Sequence, residues 1–369
     1  MKSPKAPFPK RFLLVFLSVI GGLLGLFALT LLFFTLAAYR PPAELLLAPE
    51  DWGEAAEGRD GESGPGDLSL LSWNLGYAGL DRHTDFVMEG GTMGLPRSRE
   101  AVAQALDEIR RFLTLQEADI YFLQEVDRRS SRSYRIDQLE FLTAALRGYT
   151  PWYGANYKAL FVPYPLKEPM GRVDSGIVTL SRYASPQGLR WQLPGSFSWP
   201  VSVFNLRRCA LMIAIPSPVP GREWRLINIH LSAYDNGTMR QEELAFLKDK
   251  IQGFYEEGHY VVVGGDWNSL FPGITQDAFG PHTTPAASLF WVQSIPEGWS
   301  LPGWQWCFDP SVPTCRSLNQ PYEEGENFVT LIDGFYVSPN VEVRAVRAFD
   351  LGFEKSDHNP VEVVIRAKL

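Results

Sequence analysis

The sequence predicts an α/β domain preceded by one transmembrane helix, and three observations carry that reading. Residues 12–39 contain no charged side chain and are rich in Leu, Phe, Val and Ile. Residues 68–369 alternate short apolar runs with segments of helical periodicity, the pattern of a domain built from strands and helices around one core. Between them, residues 40–67 turn to Pro, Gly, Glu and Asp and end in Gly61-Glu62-Ser63-Gly64-Pro65-Gly66, the composition of a flexible linker.

The 28-residue apolar run is long enough to cross a hydrocarbon core of about 30 Å with room for tilt, at roughly 1.5 Å of rise per residue. Lys2, Lys5, Lys10 and Arg11 lie in the tail at 1–11, whereas Arg40 is followed by Glu44, Glu50, Asp51 and Glu54. This asymmetry puts the amino terminus in the cytoplasm, the membrane at 12–39 and the large domain outside the cell membrane. A cleaved secretory signal is the competing reading, since Thr35-Leu36-Ala37-Ala38 offers small residues near the end of the run. The apolar stretch exceeds the usual signal length of about 7–15 residues, so an uncleaved anchor is favoured.

Composition then bounds the exported part. The whole chain of 369 residues is 45% apolar and 21% charged, which suffices for a large core and excludes general disorder. Its net charge is −8, but residues 1–40 carry five cations and no acid, leaving 29 basic against 42 acidic side chains, a net of −13, for the remainder. A uniformly basic nucleic-acid binder is excluded.

Within 68–369, Val102, Leu106, Ile109 and Leu113 recur at helical spacing after Ser98, as do Leu244, Leu247, Ile251 and Phe254. Strand-like runs occupy 68–73, 120–123, 176–180, 209–215, 224–230, 260–263, 328–337 and 361–365. Cys209 falls inside one of them and reads as a buried strand residue. Cys307 and Cys315 flank a loop with Pro310 and Pro313, and in an oxidising compartment they could close a disulfide or stand free. The tryptophan-rich stretch with Trp291, Trp299, Trp304 and Trp306 reads as core and loop packing, with lipid contact or base stacking as the sharper alternatives.

Polar residues gather where these strands end. The run at 68–73 leads into Asn74, 120–123 into Gln124-Glu125, 225–229 into His230, and 260–263 through Gly264-Gly265 into Asp266-Trp267-Asn268. Strand ends and the loops beyond them can converge on one crevice of a rigid scaffold. Taken singly, each motif could be an ordinary turn whose side chain bonds to backbone. Their joint order carries the inference.

Together, Ser72-Trp73-Asn74, Leu123-Gln124-Glu125, Asn228-Ile229-His230-Leu231, Gly264-Gly265-Asp266-Trp267-Asn268, Ile332-Asp333-Gly334 and Ser356-Asp357-His358-Asn359-Pro360 resemble the endonuclease/exonuclease/phosphatase superfamily. The resemblance spans about 68–369 and is nearest to the deoxyribonuclease I-like branch that has a histidine at the position of His230, including membrane-anchored bacterial members. It implies a four-layer α/β/β/α sandwich of two packed mixed sheets, and a metal-dependent hydrolase of phosphoric esters.

Glu125 and Asn74 are hard oxygen ligands suited to Mg2+, with Mn2+ or another divalent cation as a substitute, and Asp357 stands at a possible second metal position. The resemblance makes Asp333 and His358 a hydrogen-bonded pair near the phosphate. It gives Asp266 the task of orienting or deprotonating water, Asn268 that of donating to a phosphoryl oxygen, and His230 that of phosphate binding or leaving-group protonation. Arg128, Arg129 and Arg132 could grip substrate phosphates. The glycines before Asp266 either let backbone approach a ligand or make a strand-end turn. A phosphodiester of nucleic acid or of a lipid head group is the expected substrate, and nothing points to a protein partner. A catalytically silent binding or scaffolding domain of the same fold is the alternative.

Overall fold

In the computed structural model, residues 10–50, 65–234 and 237–369 are described. Most of the tail predicted at 1–11, and residues 51–64 of the predicted linker, lie outside them. Helix α1 (Lys10–Ala37) covers the apolar run, and its length and composition allow it to cross a membrane. Residues 11–30 within it are all exposed and make an apolar surface that joins no soluble core.

Strand β1 (Glu44–Leu47) follows six residues after the helix. The linker expectation is therefore corrected at this point: residues 44–47 are part of a sheet, because Leu47 packs against the central core and the strand pairs with an edge. The strands continue as β2 (Asp67–Asn74), β3 (Ile120–Asp127), β4 (Thr150–Val162), β5 (Gly171–Ser181), β6 (Gly188–Gln192), β7 (Cys209–Pro216), β8 (Glu223–His230) and β9 (Tyr260–Asp266). The last six are β10 (Gln305–Cys307), β11 (Cys315–Arg316), β12 (Val329–Thr330), β13 (Asp333–Val337), β14 (Val341–Ala348) and β15 (Val361–Ala367). Helix α2 (Arg99–Gln116) starts at Ser98, whose hydroxyl accepts from the Ala101 N–H as an N-cap. A short α3 (Gln138–Thr143) and the long α4 (Thr238–Glu256) complete the set.

Seven strands form one mixed sheet in the order β1-β6-β7-β8-β9-β13-β10, and six form a second in the order β14-β15-β2-β3-β5-β4. Alternation of side chains along the strands makes the layers. Leu68, Leu70, Ile120 and Phe122 of the second sheet face Leu211, Ile213, Leu226 and Val262 of the first across the central core. On the other side of the second sheet, Leu71, Trp73, Tyr121 and Leu123 pack under Val102, Leu106, Ile109 and Leu113 of α2. Outside the first sheet, Ile227, Ile229, Val261 and Val263 pack under Leu244, Leu247 and Ile251 of α4. The result is the expected four-layer sandwich.

The predicted run at 328–337 splits into β12 and β13, which belong to different sheets. The three cysteines are buried free thiols. Cys307, on β10, and Cys315, on β11, are therefore not joined to each other. Trp299, Trp304 and Trp306 pack with Trp267 and Tyr336, so core packing is their role.

Candidate active site

Register explains how six distant segments meet. In the second sheet β2 and β3 run parallel with Asn74 opposite Gln124, and antiparallel β15 begins at the same end, with Val361 opposite Ser72. In the first sheet β8 and β9 run parallel with His230 opposite Asp266, and antiparallel β13 begins with Asp333 opposite Asp266. Both sheets thus deliver polar residues to one end of the sandwich. There Gln124 donates to Asn228 Oδ1 at 2.8 Å, while Asn228 Nδ2 donates to the Val178 carbonyl at 2.8 Å, a buried polar link between the sheets.

At that end Asp266 is the hub. Its Oδ1 accepts from the Asn268 N–H at 2.9 Å, and its Oδ2 accepts from Asn74 Nδ2 at 3.0 Å and lies 3.2 Å from His230 Nε2. Burial and the neighbouring Asp333 push the Asp266 carboxyl up to about 6. His358 Nδ1 is 2.8 Å from Asp333 Oδ2, and its Nε2 faces Asp266 at 3.9 Å and Asp357 at 4.0 Å. Burial works to lower the His358 pKa, but Asp333 and the other facing acids outweigh it and raise the imidazole well above its ordinary value. His230 goes the other way, held neutral by burial and by the positive charge of Arg208. Two histidines about one carboxylate are therefore set in opposite protonation states.

Glu125 reaches the site through a local distortion. The β3–β5 register shifts between Leu123 and Val126, and Glu125 takes a left-handed φ of 54°. Such a bulge re-aims a side chain, here into the cavity. Among the described residues Glu125 accepts no side-chain or backbone hydrogen bond, and burial raises its pKa. Asn268 is also left-handed, with φ 48°, and its Nδ2 donates to the Leu231 carbonyl at 2.8 Å.

The sequence-based candidates divide cleanly. Asn74, Glu125, His230, Asp266, Asn268, Asp357 and His358 all line one cavity of about 540 Å3, with Asp333 directly behind His358. Arg132 lines it too, ion-paired with Asp127 at 2.9 Å and with its guanidinium 3.9 Å from the centre of the Tyr77 ring. Arg128 and Arg129 do not line the cavity. Their guanidinium groups are drawn to acids elsewhere, Arg128 to Glu50 at 3.0 Å and exposed Arg129 to Asp137 at 3.5 Å, which corrects the expectation that they grip substrate.

Gly264 and Gly265 serve packing rather than ligand approach. A Cβ on Gly264 would strike the Phe335 ring, and one on Gly265, whose φ is 141°, would strike the Ile229 carbonyl oxygen.

Sequence reasoning did not single out Arg208 and Glu89, two of the charged residues of the cavity. Arg208 lines the cavity, and its Nη1 is buried without a hydrogen-bond partner. It precedes β7, whose Ala210 pairs with Ile229, so it lies at the same sheet end as His230. The available signal was that antiparallel strands begin where their neighbours end. Glu89, from a one-turn helix, accepts from Tyr234 Oη at 2.7 Å and from the Leu318 N–H at 2.9 Å, and burial pushes it up to about 7. No motif marked it.

The donor set can be tested for a cation. One ligand atom each from Asp266, Asp333 and His358 lie within 4.8 Å of one another. Glu125 and Asp357 add oxygen donors to the same cavity, and the Oδ1 of Asp333 is buried without a partner. Such an excess of hard carboxylate oxygens suits a divalent cation.

The family profile described as "Endonuclease/Exonuclease/phosphatase family" matches residues 71–358. The chain therefore belongs to the endonuclease/exonuclease/phosphatase family of metal-dependent phosphoesterases and nucleases, and is a hydrolase of phosphoric ester bonds. No curated protein matches the sequence significantly. Among solved structures, an endonuclease/exonuclease/phosphatase from Beutenbergia cavernae is 20% identical with a TM-score of 0.53, over 82% of this chain and 72% of that one. ANGEL2, a 2',3'-cyclic phosphatase solved with adenosine-2',3'-vanadate, is 16% identical with a TM-score of 0.51, over 82% and 96%. Truncated TDP2 from Caenorhabditis elegans is 16% identical with a TM-score of 0.50, over 82% and 98%. These likenesses establish the fold.

Proposed function

We propose that the protein is a membrane-anchored, extracytoplasmic, magnesium-dependent phosphoesterase that hydrolyses phosphodiester bonds, in nucleic acid or in lipid head groups. The observation that carries the reading is the His358–Asp333 contact at 2.8 Å, set beside Asp266, Asn74 and His230 at one buried cavity end. The charge asymmetry about α1 supports an amino terminus in the cytoplasm and a catalytic domain outside.

Glu125, with no competing hydrogen bond, is the best-placed ligand for Mg2+. Asn74 adds the remaining lone pair of the Oδ1 that already accepts from the Gly76 N–H, and Asp357 provides a second position. The bound ion supplies charge neutralisation at the phosphate. His358 Nδ1 is already committed to Asp333, which favours an acid–base pair over a metal ligand there.

Asp266, oriented by the Asn268 N–H and Asn74, takes the proton of the attacking water as its oxygen bonds to phosphorus. The bond from phosphorus to the leaving oxygen breaks with its electron pair on that oxygen, which takes a proton from the His358 imidazolium. The products are an alcohol and a phosphomonoester. Neutral His230 serves by holding Asp266, so leaving-group protonation falls to His358 instead. Arg208, Arg132 and the amide of Asn268 bind phosphoryl oxygens.

The test uses the purified full chain in detergent with an activated aryl phosphodiester. Turnover should require a divalent cation and vanish with chelator; on an unactivated alkyl diester, whose alkoxide leaving group needs the proton, it should fall by about 10²–10⁴ in His358→Ala. Glu125→Ala should need more cation for the same rate. Turnover that is unchanged in both variants refutes the assignment.

A further inference from the structure

The cavity lining is of two kinds. Strand-end carboxylates and histidines supply one; Phe86, Val162, Met170, Phe197, Val201 and Phe204 supply an apolar part, in which Val162 and Met170 share one buried cluster with Phe86 packed against it. A cleft of about 540 Å3 is within the range that encloses a ligand.

The apolar part is continuous with the membrane helix. Phe204 in its wall stacks edge-on against Phe34 of α1, with ring centres 5.4 Å apart. Trp199, in the same segment, donates through its indole N–H to Thr35 Oγ1 at 3.2 Å. The wall that shapes the cavity therefore also touches the last turns of the helix. Only six residues separate Ala37 from β1, so at about 3.5 Å per residue the sheet edge stays within roughly 25 Å of the helix end.

Exposed apolar side chains rim this side. Trp199 is 61% exposed, Val201 49%, and Leu166 87%, the last in the β4–β5 connection whose Pro163 and Tyr164 line the cavity. Tyr39 follows the helix, its ring 6.0 Å from the half-exposed Lys158, the aromatic and basic pairing typical of a membrane–water interface. A nucleic acid would need a basic track along its backbone. The cavity lining has two arginines and no lysine, and one of the arginines is ion-paired with Asp127. The chain beyond residue 40 carries −13.

We propose that the apolar part of the cavity receives the segment of an acyl chain nearest the head group, from a phospholipid drawn from the bilayer that α1 spans, so that the substrate is a membrane phospholipid phosphodiester. This rests on the phosphoesterase and anchor readings above.

The full chain, reconstituted with Mg2+ into vesicles of phosphatidylethanolamine and phosphatidylglycerol, is assayed for release of a head-group alcohol or a phosphomonoester. Parallel arms contain a soluble aryl diester, single-stranded DNA and duplex DNA. Lipid should be hydrolysed. The exposed-rim variants Trp199→Ser and Leu166→Ser, combined, should lower lipid turnover at least tenfold and leave aryl diester turnover within twofold. Three results overturn the proposal: aryl diester turnover with intact lipid, DNA cut faster than lipid, or lipid turnover indifferent to the rim substitutions. Failure on every substrate, the aryl diester included, overturns the phosphoesterase reading and this proposal with it.

Discussion

Burial acts on single side chains according to their neighbours, and the two site histidines illustrate it. Both lose water, which disfavours the charged ring. His358 is faced by Asp333, Asp357 and Asp266 and holds its proton; at His230 burial prevails, reinforced by Arg208 and His358, even with Asp266 3.2 Å away. Identity as histidine was legible in the sequence, whereas the sign of each shift depends on residues up to 128 positions away in the chain.

Glu89 makes the same point as a measurable effect. Its carboxyl is pushed up to about 7 by burial, above the ordinary value of 4.5. Between those values the unfolded chain has lost this proton and the folded chain keeps it, so stability falls as pH rises from about 4.5 to 7 and is level above that. In the metal-free protein Glu89→Gln should abolish this contribution. Denaturation at several pH values should show the variant gaining on the parent by up to about 3 kcal/mol between pH 5 and 7.5, and a constant difference would refute the assignment.

Elements aim the site residues. The strands that carry Asn74, Gln124, His230 and Asp266 were readable from apolar runs. The bulge that turns Glu125 into the cavity was not, because a register shift belongs to a pair of strands and cannot be read from either one. Strands β4, β6 and β14 also escaped notice. All of β14 between its two buried ends is half-buried or exposed, and β4 and β6 carry polar and basic residues that hide their alternation.

Two glycines separate the element-level constraints. Gly265→Ala should destabilise the domain by about 3 kcal/mol or more, since its φ of 141° and the Ile229 carbonyl both reject a Cβ. Gly253→Ala in α4, where a Cβ meets nothing within 4 Å, should stabilise by up to about 1 kcal/mol. Urea denaturation of both variants checks the opposite signs.

On the scale of the whole molecule, α1 is long and apolar enough to cross a membrane. An anchor predicts that the full chain expressed in a bacterial host resists alkaline carbonate extraction with its amino terminus intact. Release of a shorter product beginning near residue 38 would instead establish a cleaved signal.

By itself the sequence determined the apolar helix, the family, the four-layer sandwich and eight of the residues lining the cavity, because apolar periodicity and the order of short motifs can be read along the chain. Only the tertiary structure decided that Arg128 and Arg129 lie off the cavity, that Arg208 and Glu89 lie on it, and that its apolar wall meets the end of the helix. Those outcomes depend on which carboxylate captures which cation and which strand starts beside which strand ends. Such facts arise from pairing across long stretches of chain, and no single stretch encodes them.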